Sequence, residues 1–500
     1  MAKKISLLLV LIMLASLLNP ALAEDATTSG VTYEIFVASF QDSDGDGCGD
    51  LRGIIERLDY IEALGVDMLW LMPIHPSVSY HKYDVSDYYD IDPAYGTLED
   101  FDALVAACDE RGIRVMLDLV VNHTGREHPW FQAACEALRN GTESPYIAWY
   151  HFTQGEGQHQ VPGTDWYYEG QFGDHMPDLN LDHPEVRAEI ARIMAFWQGH
   201  GVKGFRLDAV TSYYTGANQS NAEFLAFLTQ TAKANDPDCY LVGEVWSDSA
   251  TILTLYRSGI DSLFNFPAAD SGGTFIKAAQ NAKGASAARI LAEWNAQVRE
   301  TAPGAIDAPF LTNHDLARSS GMLRLNPGLE KTAAMLYLLM PGRPTVYYGE
   351  EIGMTGSGRD ENKRLPMVWS AAEGAALCLP PADADQNQRL KEGVDVQEND
   401  PDSLLNTYRQ LIHLRTLAPE LTHGVMSQLD AGQAELAFYR VDDGGSAVAI
   451  LINTSQTDTL QADASALGSV TVLGTYGTVD ASDPSAIVLP PVSCLLLRIE

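Results

Sequence analysis

Five hundred residues, 46% hydrophobic and 20% charged, are too many for one small module and too apolar for a disordered chain. Acidic residues outnumber basic ones 67 to 32, and the formal net charge of −35 excludes partners held chiefly by phosphate contacts, so neither nucleic acid nor an anionic membrane surface is expected.

In chain order, Lys3 and Lys4 precede an apolar run from Ile5 to Leu18 and then Ala21-Leu22-Ala23. This is the shape of a secretory signal peptide over residues 1–23. The run is shorter than the ~20 residues a spanning helix needs, so a secreted, extracellular protein without membrane attachment after cleavage is expected.

From residue 31, short β-branched or aromatic runs alternate with helical patterns such as Leu51–Leu64 and Leu98–Arg111. That rhythm belongs to parallel strands with crossover helices. Strands are predicted at Thr32–Val37, Met68–Pro73, Arg114–Val121, Gly204–Leu207, Tyr240–Val245, Ser262–Phe266, Pro309–Thr312 and Thr345–Tyr348. Eight such strands predict an α/β fold, a (β/α)8 TIM barrel, with its two parts at residues 24–122 and 178–420. Residues 123–177, after the third strand, break the rhythm and are expected to form an inserted subdomain. Past residue 420, runs at Ala434–Tyr439, Ala447–Ile452, Ser469–Leu473 and Cys494–Ile499 predict a C-terminal antiparallel β domain, a sandwich over residues 421–500. The six cysteines resemble no zinc pattern; structural thiols and one to three disulfides both fit an exported chain of this length, and a catalytic thiol is not expected.

In such a barrel the chemistry sits where strands end, so the informative residues are polar ones closing apolar runs. The third strand ends Asp118-Leu-Val-Val-Asn122-His123, the fourth runs Gly204-Phe-Arg206-Leu-Asp208, the fifth Val242-Gly243-Glu244-Val245, and the seventh ends Thr312-Asn313-His314-Asp315. Period-two alternation puts Arg206 and Asp208 on one face of their strand. Asp208, Glu244 and Asp315 thus reach one rim from different strands, and like charges held together raise the pKa of one member, as a general acid near neutral pH requires.

These stretches, DLVVNH at 118–123, GFRLDAV at 204–210, GEVW at 243–246 and FLTNHD at 310–315, with MPDLN at 176–180, resemble the α-amylase family of glycoside hydrolases in its own order. The resemblance covers essentially all of the chain after the signal peptide. It implies a retaining mechanism: Asp208 as nucleophile, Glu244 as acid and base, and Asp315 as the third acid holding sugar hydroxyls. Arg206, two residues from Asp208, supplies a permanent cation beside it. His123 and His314 match positions that hydrogen-bond the central sugar. In Tyr80-His81-Lys82-Tyr83-Asp84, Tyr83 matches the aromatic beneath that sugar and His81 a nearby histidine, while Tyr80 offers a second stacking platform.

Tyr80 stands where members that trim single glucoses carry a pocket-closing aspartate, and Ala209 resembles α-1,4 enzymes where α-1,6-specific ones have valine. Both features favour an open cleft. The MPDLN motif is similar to that of an intermediate group between oligo-1,6-glucosidases and neopullulanases that includes bacterial α-amylases. The chain departs from the pattern at Thr211-Ser212, where many α-amylases continue Lys-His; this bears on the family's usual calcium between barrel and insert, although Asn122 is present. A second metal candidate lies after the first strand. Asp42, Asp44, Asp46 and Asp50 alternate with small residues, and their side chains with the Cys48 carbonyl are predicted to hold one structural Ca²⁺, like the calcium loop of oligo-1,6-glucosidase-type members.

The expected activity is endo-hydrolysis of α-1,4 bonds in starch, glycogen and maltooligosaccharides. A neopullulanase- or oligo-1,6-glucosidase-like hydrolase and a 4-α-glucanotransferase are the alternatives, because transfer and hydrolysis share one covalent intermediate. A non-catalytic glycan-binding member would be expected to lack one of the three acids. An α-glucan is the expected partner, bound by a monomer.

Overall fold

A computed structural model of the chain describes residues 29–500 apart from 373, 374, 376 and 377; the expected signal peptide lies outside the described residues. Three strands open the barrel, β1 (Thr32–Ile35), β2 (Met68–Leu71) and β3 (Arg114–Leu119). The excursion that follows carries a helix (Pro129–Asn140) and the short strands β4 (Phe152–Gln154), β5 (His159–Gln160) and β6 (Trp166–Tyr168), paired antiparallel in the order β4-β6-β5. His123 and Asp178, where the chain leaves and returns, are joined by an antiparallel bridge. The barrel resumes with β7 (Gly204–Leu207), β8 (Tyr240–Gly243), β9 (Ser262–Phe264), β10 (Ile306–Ala308) and β11 (Thr345–Tyr347).

The parallel order is β10-β9-β8-β7-β3-β2-β1-β11, and a single bridge from Phe310 to Thr345 closes the ring. The seventh strand corrects the expectation of Pro309–Thr312. The ladder runs at Ile306–Ala308 and stops at Pro309, which has no N–H to donate; its carbonyl still accepts from Thr345 N–H at 2.9 Å.

Alternation decides what each barrel strand shows to which side. Met68 and Trp70 of β2, with Tyr240 and Val242 of β8, point into the barrel and pack with Phe264, Ile306 and Phe310. Leu69, Leu71 and Leu241 face the outer helices. The predicted helix at Leu51–Leu64 is two, Leu51–Glu56 and Leu58–Leu64, broken at Arg57, whose φ of −106° and ψ of 7° are not helical. Helix Leu98–Asp109 begins with a capping box, Thr97 accepting from Asp100 N–H and Asp100 accepting in return from Thr97 N–H.

After helix Leu404–Thr416 come β12 (Val425–Gln428), β13 (Leu436–Asp442), β14 (Ala447–Asn453), β15 (Leu460–Ala462), β16 (Val470–Tyr476), β17 (Ile487–Leu489) and β18 (Ser493–Ile499). Five of them pair as β12-β13-β14-β18-β16, and β15 with β17 form a separate ribbon. The expected sandwich is therefore lopsided. Strand β14 is buried throughout because both of its faces are covered. Val448, Ile450 and Ile452 join the core shared with the barrel helices, while Ala449 and Leu451 pack under the ribbon against Leu460 and Leu489.

Among the described residues no helix is long and apolar enough to cross a membrane. All six cysteines are free thiols, five of them buried. Burial raises each thiol, Cys48 to about 11, which leaves no thiolate for catalysis near neutral pH.

Candidate active site

Arg206 is the centre of the site. Strand β7 turns it inward with its guanidinium 5.3 Å from the centre of the Trp70 ring, and it is 1% exposed. Its Nη1 donates to Asp208 Oδ1 at 2.6 Å and to Asp118 Oδ1 at 2.9 Å, and its Nη2 lies 3.1 Å from Glu244 Oε2. One cation thus holds three carboxylates from adjacent strands. Burial alone would lower the Arg206 pKa, but Asp118, Tyr83, Glu244 and Asp208 together raise it well above its ordinary value.

The clamp leaves two oxygens uncommitted. Asp208 Oδ2 and Glu244 Oε1 make no hydrogen bond to any described residue, while Glu244 Oε2 also accepts from Ala209 N–H at 2.9 Å. Ala209 presents that N–H because it sits in the left-handed region, φ 46° and ψ 47°, where a β-branched side chain would be strained. Burial raises the Glu244 carboxyl above its usual range against the pull of Arg206, and Asp208 and Asp315 push the same way. A carboxyl with a raised pKa beside one that offers a free oxygen suits the division of labour that acid-and-nucleophile chemistry needs.

Asp315 is held differently. Arg364 Nη2 reaches its Oδ1 at 3.0 Å and His314 Nε2 its Oδ2 at 3.0 Å. Burial acts to raise this carboxyl, yet the two cations hold it well below the usual carboxylate range. His314 also contacts Glu34 on β1 through Nδ1 at 2.5 Å. Burial would lower its pKa, but Asp315 and Glu34 raise it to about 9, so it stays an imidazolium.

Tyr83 donates its hydroxyl to Asp118 Oδ2 at 3.0 Å and lies 2.8 Å from His314 Nε2, which pins the ring in place. His81 accepts Tyr83 N–H on Nδ1 at 3.1 Å and burial lowers its pKa to about 4, so it is neutral with its proton on Nε2. Tyr80, expected as a stacking platform, is only partly exposed, and its hydroxyl accepts from Arg364 Nη1 at 2.6 Å.

His123 and His314, expected to hydrogen-bond the central sugar, also bond neighbouring residues of the site. His123 donates from Nε2 to the Tyr83 carbonyl at 3.2 Å and accepts on Nδ1 from Asn122 at 3.3 Å; His314 uses both nitrogens on Glu34, Tyr83 and Asp315. In this arrangement both histidines hold other site residues.

In the loop after β1, Asp42, Asp44 and Asp50 bring carboxylate oxygens within 4.8 Å of one another. Asp46 is not part of that group; its Oδ1 accepts from Cys48 N–H at 2.7 Å. Gly45 and Gly47 turn the chain with φ of 86° and 95°, and a side chain at Gly47 would collide with Leu379.

Sequence reasoning missed Glu34, Arg364 and Gln171 and assigned no role to Asp118 or Trp246. Trp246, two residues past Glu244, is 57% exposed and stacks on Phe266 at 5.3 Å. Only its place in the GEVW motif could have flagged it.

A barrel rim that brings together Asp208, Glu244 with its raised pKa and Asp315 has the groups of a glycoside hydrolase site. The comparisons agree. The model of the α-amylase catalytic domain matches residues 34–424. Alpha-amylase 3 of Dictyoglomus thermophilum is 35% identical, covering 94% of this chain and 93% of its own, and the cyclomaltodextrinase of Geobacillus thermopakistaniensis is 32% identical, covering 90% and 70%. The solved structure of Eubacterium rectale Amy13B superposes with a TM-score of 0.88 at 40% identity, covering 94% of this chain and 95% of that one. The chain belongs to the α-amylase family of glycoside hydrolases.

Proposed function

We propose that this enzyme hydrolyses internal α-1,4-glucosidic bonds of starch, glycogen and maltooligosaccharides with retention of configuration. The observation that carries the mechanism is the Arg206 clamp, which holds one oxygen each of Asp208 and Glu244 and frees the other. Asp208 Oδ2 attacks the anomeric carbon while Glu244 Oε1 protonates the glycosidic oxygen, so the C–O bond breaks and a covalent glycosyl-aspartate forms. Glu244, now ionised, takes a proton from water as its oxygen attacks the same carbon, and Asp208 is released. Asp315, kept anionic by His314 and Arg364, accepts hydrogen bonds from the hydroxyls of the reacting sugar.

Two features support internal cleavage. The position of Tyr80 carries no carboxylate to close a pocket, and Trp246, two residues past Glu244, offers an exposed indole on which a sugar could stack. A cyclomaltodextrinase- or neopullulanase-like specificity is the second reading, favoured by the likeness to a cyclomaltodextrinase over most of the chain. Product profiles separate them. Internal α-1,4 cleavage predicts early loss of starch viscosity and iodine colour, with maltooligosaccharides appearing before much glucose. Glucose as the sole early product, or isomaltose split faster than maltotriose, would replace it with an oligo-1,6-glucosidase activity.

The loop after β1 is proposed to hold one structural Ca²⁺ through Asp42, Asp44 and Asp50 with the Cys48 carbonyl, Asp46 lying at its edge. An all-oxygen set with three carboxylates suits this hard cation. Binding only the folded chain, the ion should raise the melting temperature, and millimolar calcium at 100 times its dissociation constant adds ~2.7 kcal/mol. Equal melting in EDTA and in calcium, with no metal found by elemental analysis, would refute the site. The N-terminal pattern of residues 1–23 supports secretion, which the mass of the exported protein tests.

A further inference from the structure

The inserted subdomain is fastened beside the nucleophile by one side chain. Gln171, three residues past β6, donates from Nε2 to the Ser212 carbonyl at 2.7 Å and to Asn122 Oδ1 at 3.3 Å. Its Oε1 accepts from the Thr215 hydroxyl at 2.8 Å, and its backbone N–H donates to Asp178 Oδ2 at 3.1 Å. Chemistry orients the amide: a peptide carbonyl only accepts, so the atom facing Ser212 is nitrogen. Asn122 Nδ2 lies 3.4 Å from Asp178 Oδ1, which turns Asn122 Oδ1 toward Gln171.

Oxygens from three segments therefore gather around this residue: Asn122 after β3, Asp178 at the return from the subdomain, and Ser212 four residues past Asp208. Such a gathering of oxygens is what a hard divalent cation requires, and the family's usual calcium lies between barrel and insert. The residues here do not fit that ion as they stand, because an amide –NH₂ points at the oxygens and would repel a cation. We propose that Gln171 takes the place of a metal ion at this junction. It is a positioning residue that ties the subdomain to the nucleophile's loop by hydrogen bonds, and the junction takes no calcium. Its neighbour Phe172 lies against the His123 ring, centroids 5.3 Å apart, and His123 in turn bonds the Tyr83 carbonyl. The tie thereby reaches the tyrosine beneath the reacting sugar.

Gln171→Glu tests this, since it exchanges the donor nitrogen for an oxygen of the same shape. Without metal, the new carboxylate faces Asn122 Oδ1, the Ser212 carbonyl and Asp178. With metal, the set becomes an all-oxygen cage. In EDTA the variant should melt about 2–4 °C below wild type and lose about tenfold in kcat with KM little changed. Millimolar calcium should restore both, and calorimetry should count one more calcium per chain than in wild type. The loop after β1 is common to both proteins and cancels in that difference. Gln171→Leu should melt lower, ignore added calcium and bind as many ions as wild type. Equal calcium counts with equal melting for Gln171→Glu and wild type would overturn the proposal, and so would loss of a calcium ion from the Asn122→Ala chain. Ion counts and melting do not depend on which α-glucan bond is cut, so these results stand apart from those on specificity.

Discussion

Asp208→Asn is expected to lower turnover on starch by about 10⁴-fold or more, with a melting temperature close to wild type. The substitution keeps the side chain's shape and the oxygen that accepts from Arg206 Nη1, but removes the anionic oxygen that would bond the anomeric carbon. Arg206 retains Asp118 and Glu244 as partners, so no buried cation is left unpaired. The loss should appear in kcat more than in KM, because the covalent intermediate cannot form. Residual activity within tenfold of wild type would show that another group attacks. An inverted first-formed product by NMR from the wild-type enzyme would show that none does.

Glu244→Gln is expected to lower kcat/KM on starch by about 10²–10⁴-fold and to do so in a leaving-group-dependent way. Fluoride departs without a proton, so an α-maltosyl fluoride should still glycosylate Asp208 at a rate near wild type. The second step then lacks its base, and the adduct should accumulate to be seen by mass spectrometry. The pH profile carries the sign of the raised carboxyl. As the proposed acid, Glu244 must be protonated for the first step, so activity on starch should fall as pH rises through its elevated pKa. With fluoride and Gln at this position, that high-pH limb should vanish. Equal impairment on starch and on the fluoride would assign the acid role elsewhere.

What could be read from the chain itself follows from local periodicity. A strand's side chains alternate with period two, so a polar residue closing an apolar run must sit at a barrel rim, and the rim positions of Asp208, Glu244 and Asp315 were legible on that basis. So was the helix from Leu98, whose apolar spacing is local. The seventh strand was misplaced because hydrophobicity continues past Pro309 while the ladder with β9 ends at Ala308.

The rest waits on closure of the barrel, which brings together residues far apart in the sequence. His314 becomes an imidazolium because its neighbour Asp315 and Glu34, 280 residues away, both lie beside it. Arg364 links Tyr80 to Asp315 across separations of 284 and 49 residues. Gln171 meets Ser212, 41 residues on, only where the subdomain folds back on the barrel. No local pattern encodes these pairs, because each depends on two loops meeting in space. Types of residue at strand ends place Asp208, Glu244 and Asp315 at one rim, and the tertiary structure alone sets their partners.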